Sequence, residues 1–102
     1  MIRAARWIEV VASPGREHDV VAFLIDALPV AQRDGSIKCW FGLRLDHSRF
    51  AIFDVFDSEP SRGAGVSGAI GEALKDRIGS LFSVSPKIGW VDVLASKLPS
   101  GT

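Results

Sequence analysis

The sequence predicts an α+β domain in the order β-α-β-β-α-β, with a four-stranded antiparallel sheet and two helices on one of its faces. Three observations predict it. Four short segments alternate between apolar and other residues with a period of two. Two further segments carry apolar residues at helical spacing. Three tryptophans on strand-like segments each share a strand face with a charge two or four places away: Trp7 with Glu9, Trp40 with Arg44, and Trp90 with Asp92. The opposite faces of those strands are almost purely apolar, so this sheet has two faces to cover.

The first strand runs through Ile2–Ala12, with Ile8, Val10 and Ala12 on one face and Trp7, Glu9 and Val11 on the other. Ser13-Pro14-Gly15 stops it, Ser13 serving as a helix N-cap with Pro14 in the first helical position. Val20, Phe23, Leu24, Ala27 and Leu28 form the apolar stripe of the first helix, and Pro29 is expected to end or bend it. After the Asp34-Gly35 turn, Ile37, Cys39, Phe41, Leu43 and Leu45 face the core from the second strand, with Lys38, Trp40, Gly42 and Arg44 opposite. Asp46-His47-Ser48 links it to a third strand, Arg49–Phe56, as a hairpin. Asp57 or Ser58 caps a second helix whose stripe is Ile70, Ala73, Leu74, Ile78, Leu81 and Phe82. Its first half carries Gly63, Gly65, Gly68 and Gly71, each costing roughly 1 kcal/mol against Ala in a helix interior. Pro86 opens the last strand, Lys87–Ala95. This order is that of a ferredoxin-like plait: one domain over residues 1–98 and a flexible tail over 99–102.

Helices on the apolar face leave the tryptophan-bearing face bare in a lone chain, and bare aromatic surface marks an interaction site. The expectation is a homodimer in which two sheets pack face to face through Trp7, Trp40, Arg44, Asp54, Trp90 and Asp92, with Arg44 and Asp54 as an ion pair. Composition agrees: 47 % of the 102 residues are hydrophobic and the formal net charge is zero, so little self-repulsion opposes association. A neutral chain without clustered Lys and Arg is no nucleic-acid binder. One cysteine, Cys39, excludes an internal disulfide and suits a cytoplasmic setting. The N-terminus lacks the form of a secretory signal, and there is no run of 18 apolar residues to cross a membrane.

Motifs for chemistry are sparse. Gly63-Ala64-Gly65-Val66-Ser67-Gly68 has the dinucleotide-binding G-x-G-x-x-G spacing. Yet Asp57–Arg62 separates it from the preceding strand, and there is no parallel βαβ unit to place a pyrophosphate. His18 and His47 occupy a helix start and a hairpin turn, where solvated histidines are common. Cys39 reads as a buried thiol beside Phe41. Phe23, Phe41, Phe53, Val66 and Ile70 can line a pocket between sheet and helices, although apolar residues at these spacings more often fill a core. Ser67 is the polar helix residue there able to bond a substrate oxygen.

From about Leu28 to Leu98 the chain resembles the antibiotic-biosynthesis-monooxygenase-like (ABM-like) family of dimeric α+β barrels. The resemblance is carried by Ile37-Lys38-Cys39-Trp40-Phe41-Gly42-Leu43-Arg44, by Phe50-Ala51-Ile52-Phe53-Asp54-Val55-Phe56, by the helix containing Ser67-Gly68, and by Ile88-Gly89-Trp90-Val91-Asp92-Val93-Leu94-Ala95-Ser96-Lys97-Leu98. It implies a ferredoxin-like protomer that dimerises through its sheet. In active members it implies oxygenation of quinols or polycyclic aromatics, or haem degradation, in a pocket between sheet and helices. The substrate anion itself reduces oxygen there, so no metal or flavin is required. Many relatives have a histidine before the Ser-Gly pair; here the segment is Gly65-Val66-Ser67-Gly68, and the chain has no Asn and no Tyr. The expectation is therefore a monooxygenase-like protein acting on, or simply binding, a small aromatic or quinol-type molecule. The alternative is a non-catalytic dimeric binding or accessory module.

Overall fold

The computed structural model describes residues 4–56 and 69–99. The elements are β1 (Ala4–Val11), α1 (Glu17–Arg33), β2 (Ile37–Arg44), β3 (Arg49–Phe56), α2 (Ala69–Asp76) and β4 (Lys87–Asp92). All strand pairings are antiparallel and the sheet order is β2-β3-β1-β4. This is the ferredoxin-like α+β arrangement that the sequence predicts. Asp57 to Gly68, including the glycine-rich motif, Val66 and Ser67, lie outside the described residues.

The central pair sets the layers. β1 and β3 align from Ala4 opposite Phe56 to Val11 opposite Arg49. Ile8 and Val10 therefore share a face with Ile52 and Phe50. Against that face pack Val20, Leu24 and Ala31 of α1, Ile70 and Leu74 of α2, and the following Leu81 and Phe82. Each fully buried Val, Leu, Ile or Phe side chain contributes roughly 1.5–3 kcal/mol.

Helix α1 departs from the expected ends. Ser13 does not cap it; the Ser13 carbonyl accepts from the Arg16 N–H at 2.9 Å, in a turn where Gly15 takes φ +81°. The helix also runs through Pro29 to Arg33. Pro29 cannot donate to the carbonyl of Ile25, but both residues are exposed, so water can reach that acceptor. Burial of Ala27 and Ala31 keeps the last turn on the sheet. Helix α2 is shorter than its apolar stripe suggests, ending at Asp76. Leu81 and Phe82 are buried from a turn instead, tied to the end of β1 by Ser13 N–H to Leu81 O (2.9 Å) and Ser83 N–H to Val11 O (3.1 Å).

Strand β2 presents the opposite faces from those expected. Ile37 lies opposite Phe56 and Cys39 opposite Val55, so β2 advances two residues while β3 advances one. This bulge inverts the side-chain phase. Ile37 stays with the core, but Cys39, Phe41 and Leu43 emerge on the face that neither helix covers. Trp40, Gly42 and Arg44 fall opposite Asp54, Ile52 and Phe50, on the helix side. A Cβ on Gly42 would meet the Leu24 Cβ and the Trp40 ring at 3.4 Å, which places α1 directly over this strand. In β4, Trp90 and Asp92 lie opposite Arg6 and Ala4, again on the helix side. Of the three tryptophans only Trp7 is on the uncovered face.

Candidate functional site

Two helices laid side by side on a sheet leave a cleft between them, and here it has a volume of about 400 Å³. Asp19, Phe23, Asp26 and Val30 follow one another at helical spacing and present one side of α1 to it; Ile70, Ala73 and Arg77 do the same from α2 and its end. Phe23, Val30, Ile70 and Leu81 make an apolar floor, and the charges sit at the rim. The Phe23 ring is fixed edge-on against Phe82, centroids 5.7 Å apart at 89°. At one end of the cleft Arg16 Nε donates to Asp19 Oδ2 at 2.5 Å and its Nη1 reaches the Ser80 carbonyl at 3.5 Å.

A second polar feature is enclosed on the helix side of the sheet. Arg6 Nε and Nη2 donate to the two oxygens of Asp54 at 3.0 and 2.5 Å. Both side chains are buried, at 1 % and 0 % exposure. The guanidinium carbon lies 5.5 Å from the ring centroids of both Phe56 and Trp90. Burial pushes the Asp54 carboxyl above its ordinary pKa, and the hydrogen bonds and charge of Arg6 offset part of that rise. The partner of Asp54 is thus Arg6, not Arg44; Arg44 lies over the Phe50 ring, 5.1 Å from its centroid. Sequence reasoning left Arg6 out, although a signal was present. Arg6 continues the inward series Ile8, Val10, Ala12, and Asp54 interrupts the inward series Phe50, Ile52, Phe56. Two opposite charges on adjacent buried faces are each other's natural partner.

The sequence-derived groups exchange places. Phe23 and Ile70 do meet in the interhelical cleft. Phe41 and Phe53, expected beside them, lie on the uncovered sheet face, stacked at 6.3 Å, with Trp7 6.3 Å from Phe53. Trp40, Arg44, Asp54, Trp90 and Asp92, expected on that face, lie on the other. Aromatic residues occupy both sides of β2, so hydropathy alone could not choose; the bulge does. Trp40 lines a smaller cavity of about 300 Å³ with Leu28 and Ile37, and its buried Nε1 has no hydrogen-bond partner among the described residues. His18 is exposed, and His47 is 87 % exposed with Nε2 3.8 Å from Glu17 Oε2. Cys39 is half-buried on the uncovered face rather than in the core. Among the described residues no cluster of His, Cys, Asp or Glu could hold a metal ion, and no helix is long and apolar enough to cross a membrane.

Fold and cleft together define a ferredoxin-like α+β chain with a cleft between its two helices. Its backbone matches a provisionally assigned antibiotic biosynthesis monooxygenase from Nitrosomonas europaea with a TM-score of 0.77, 11 % identity, and 90 % of each chain covered. Another, from Bordetella bronchiseptica, matches with a TM-score of 0.74, 15 % identity, and 93 % and 100 % of the two chains covered. Identities this low speak to the fold, which is the one the resemblance in the sequence implies. The chain belongs to the same family as NE2512, a protein of unknown function from Nitrosomonas europaea: 38 % identical, with a TM-score of 0.95 over 99 % of this chain and 98 % of that one. No protein-family model matches the chain, and no curated protein does.

Proposed function

We propose that this protein binds a small aromatic or quinol-type molecule in the α1–α2 cleft and works as a homodimer. The observation that carries the reading is the cleft itself, an apolar floor around a fixed phenyl ring with charge confined to the rim. Its volume is within the range of about 300–1,000 Å³ usual for ligand sites. The uncovered sheet face supports the dimer. Phe41 is 50 % exposed and Val91 45 %, beside the half-buried Trp7, Leu43 and Phe53. A patch of this kind on a sheet is suited to a second copy of itself.

Turnover is the second reading, favoured by the fold shared with the two provisionally assigned monooxygenases. An anthrone carbanion would reduce O₂ directly: one oxygen atom enters the ring CH₂ carbon as a carbonyl, the other leaves as water with its two hydrogens. The protein would desolvate and orient the substrate.

Calorimetric titration with hydroquinones and anthrones, run beside oxygen-electrode measurements, tests both readings. Saturable binding without oxygen uptake above the spontaneous rate supports the binding protein; uptake that depends on the protein supports the oxygenase. No binding of any member defeats both. Sedimentation tests the dimer: Phe41→Glu is expected to convert a 22 kDa-scale species (about twice the 11.0 kDa chain) to a monomer, and a wild type that sediments as a monomer at micromolar concentration refutes the assembly.

A further inference from the structure

The cleft is electrically lopsided, and this inference rests on the binding reading above. At the end where α1 begins and α2 finishes, three charged side chains line it: Arg16, Asp19 and Arg77. Arg16 and Asp19 neutralise one another at 2.5 Å. Arg77 holds the local turn through its backbone, its carbonyl accepting from Leu81 N–H at 2.9 Å and Ser80 Oγ at 3.2 Å. Its guanidinium has no ion pair or side-chain hydrogen bond among the described residues. Nearby, Lys75 is taken up by Glu72 at 3.6 Å, and Asp76 does not line the cleft. The other lining acid, Asp26, is seven residues beyond Asp19, about 10 Å further along the helix. One uncompensated positive charge is left beside an apolar trough with an aromatic side wall.

We propose that the ligand is an aromatic anion: its ring lies on the floor made by Phe23, Ile70 and Leu81, and its carboxylate pairs with Arg77. The guanidinium fork matches a carboxylate in a way that no neutral hydroxyl can. Because Arg77 is at the rim and hydrated, the charge sets selectivity more than affinity. The expected preference for an anion over its neutral isostere is about 3- to 10-fold, weakening with salt.

The test uses three probes of one shape: 1-naphthoate, 1-naphthol and 1-naphthylmethylammonium, titrated calorimetrically into the full chain. Naphthoate is expected to bind most tightly and the ammonium least. Arg77→Gln, a change at an exposed position, is expected to bring naphthoate down to the affinity of naphthol while leaving naphthol unchanged. Phe23→Ala is expected to weaken all three. Equal affinities for naphthoate and naphthol, both lost in Phe23→Ala, would overturn the anion proposal and leave the cleft reading intact. A naphthoate preference that survives Arg77→Gln also overturns the proposal. Failure of all three probes to bind, or indifference of all three to Phe23→Ala, overturns the cleft reading and the proposal with it.

Discussion

Replacing Arg6 with Met leaves the Asp54 carboxyl alone in the core. The pair is enclosed, at 1 % and 0 % exposure, and two-pronged, at 3.0 and 2.5 Å. Methionine fills much of the arginine stem's volume, so the loss is mainly that of the charge partner. Removing one member of a buried pair costs about 3–5 kcal/mol, against a total of about 5–15 kcal/mol for a domain. Contacts of the guanidinium with Phe56 and Trp90 are lost too. The pH dependence gives the reasoning its sharpest form. Burial already raises the Asp54 pKa, and loss of Arg6 raises it further. A carboxyl with a raised folded-state pKa contributes its full stability below the unfolded value of about 3.9, and that stability is lost as pH rises through the folded value. The deficit of Arg6→Met should therefore be larger at pH 8 than at pH 5. Urea unfolding followed by circular dichroism, at fixed protomer concentration and both pH values, measures it. Arg6→Met/Asp54→Leu should recover most of the loss, because an apolar pair in this site carries no charge to desolvate. A single variant as stable as wild type at pH 8, or a deficit that ignores pH, would refute the argument.

Two further outcomes follow from the turns. Gly79 holds φ +90° with nothing within 4 Å of where a Cβ would stand, so Gly79→Ala should lower stability by roughly 1 kcal/mol through backbone strain alone; an unchanged urea midpoint would contradict that. Asp46 Oδ1 accepts from the N–H groups of Ser48 (3.1 Å) and Arg49 (2.9 Å), and Oδ2 from Arg49 Nε (2.7 Å). These bonds hold its pKa below the ordinary carboxylate value. Its stabilisation is present above about pH 4 and fades as pH falls through the lowered pKa. Asp46→Ala should thus be modestly less stable than wild type at pH 6, and the difference should narrow as pH falls below about 4 in the same unfolding assay.

The layer order was legible because period-two and helical patterns are properties of single segments: Ile8 with Val10, and Val20 with Leu24, each declare a face locally. Helix ends were less so. Pro29 is a poor helix residue in isolation, yet burial of Ala27 and Ala31 outweighs its missing donor, and the lost bond faces water. Leu81 and Phe82 keep helical spacing after Leu74 but are delivered by a turn, since a stripe records burial and not the backbone that achieves it. The site was the least legible part. Phe23 and Ile70 meet because both sit on the helices; Phe41 and Phe53 do not join them because the phase of β2 depends on pairing with β3, which no single segment encodes. Arg6 and Asp54 show the same dependence on register, 48 residues apart in the chain.

The bulge at Lys38 separates the length of the strand from the chemistry its two sides present. Deleting that one residue would remove the bulge yet leave Ile37, Trp40 and Arg44 on the helix side and Phe41 and Leu43 on the uncovered side, because Ile37 would still face Phe56 and Cys39 would still face Val55. A strand built this way can therefore gain or lose a single residue at that point and keep what each side of the sheet displays, whereas straightening it with Lys38 retained would exchange the two sides from Cys39 onward.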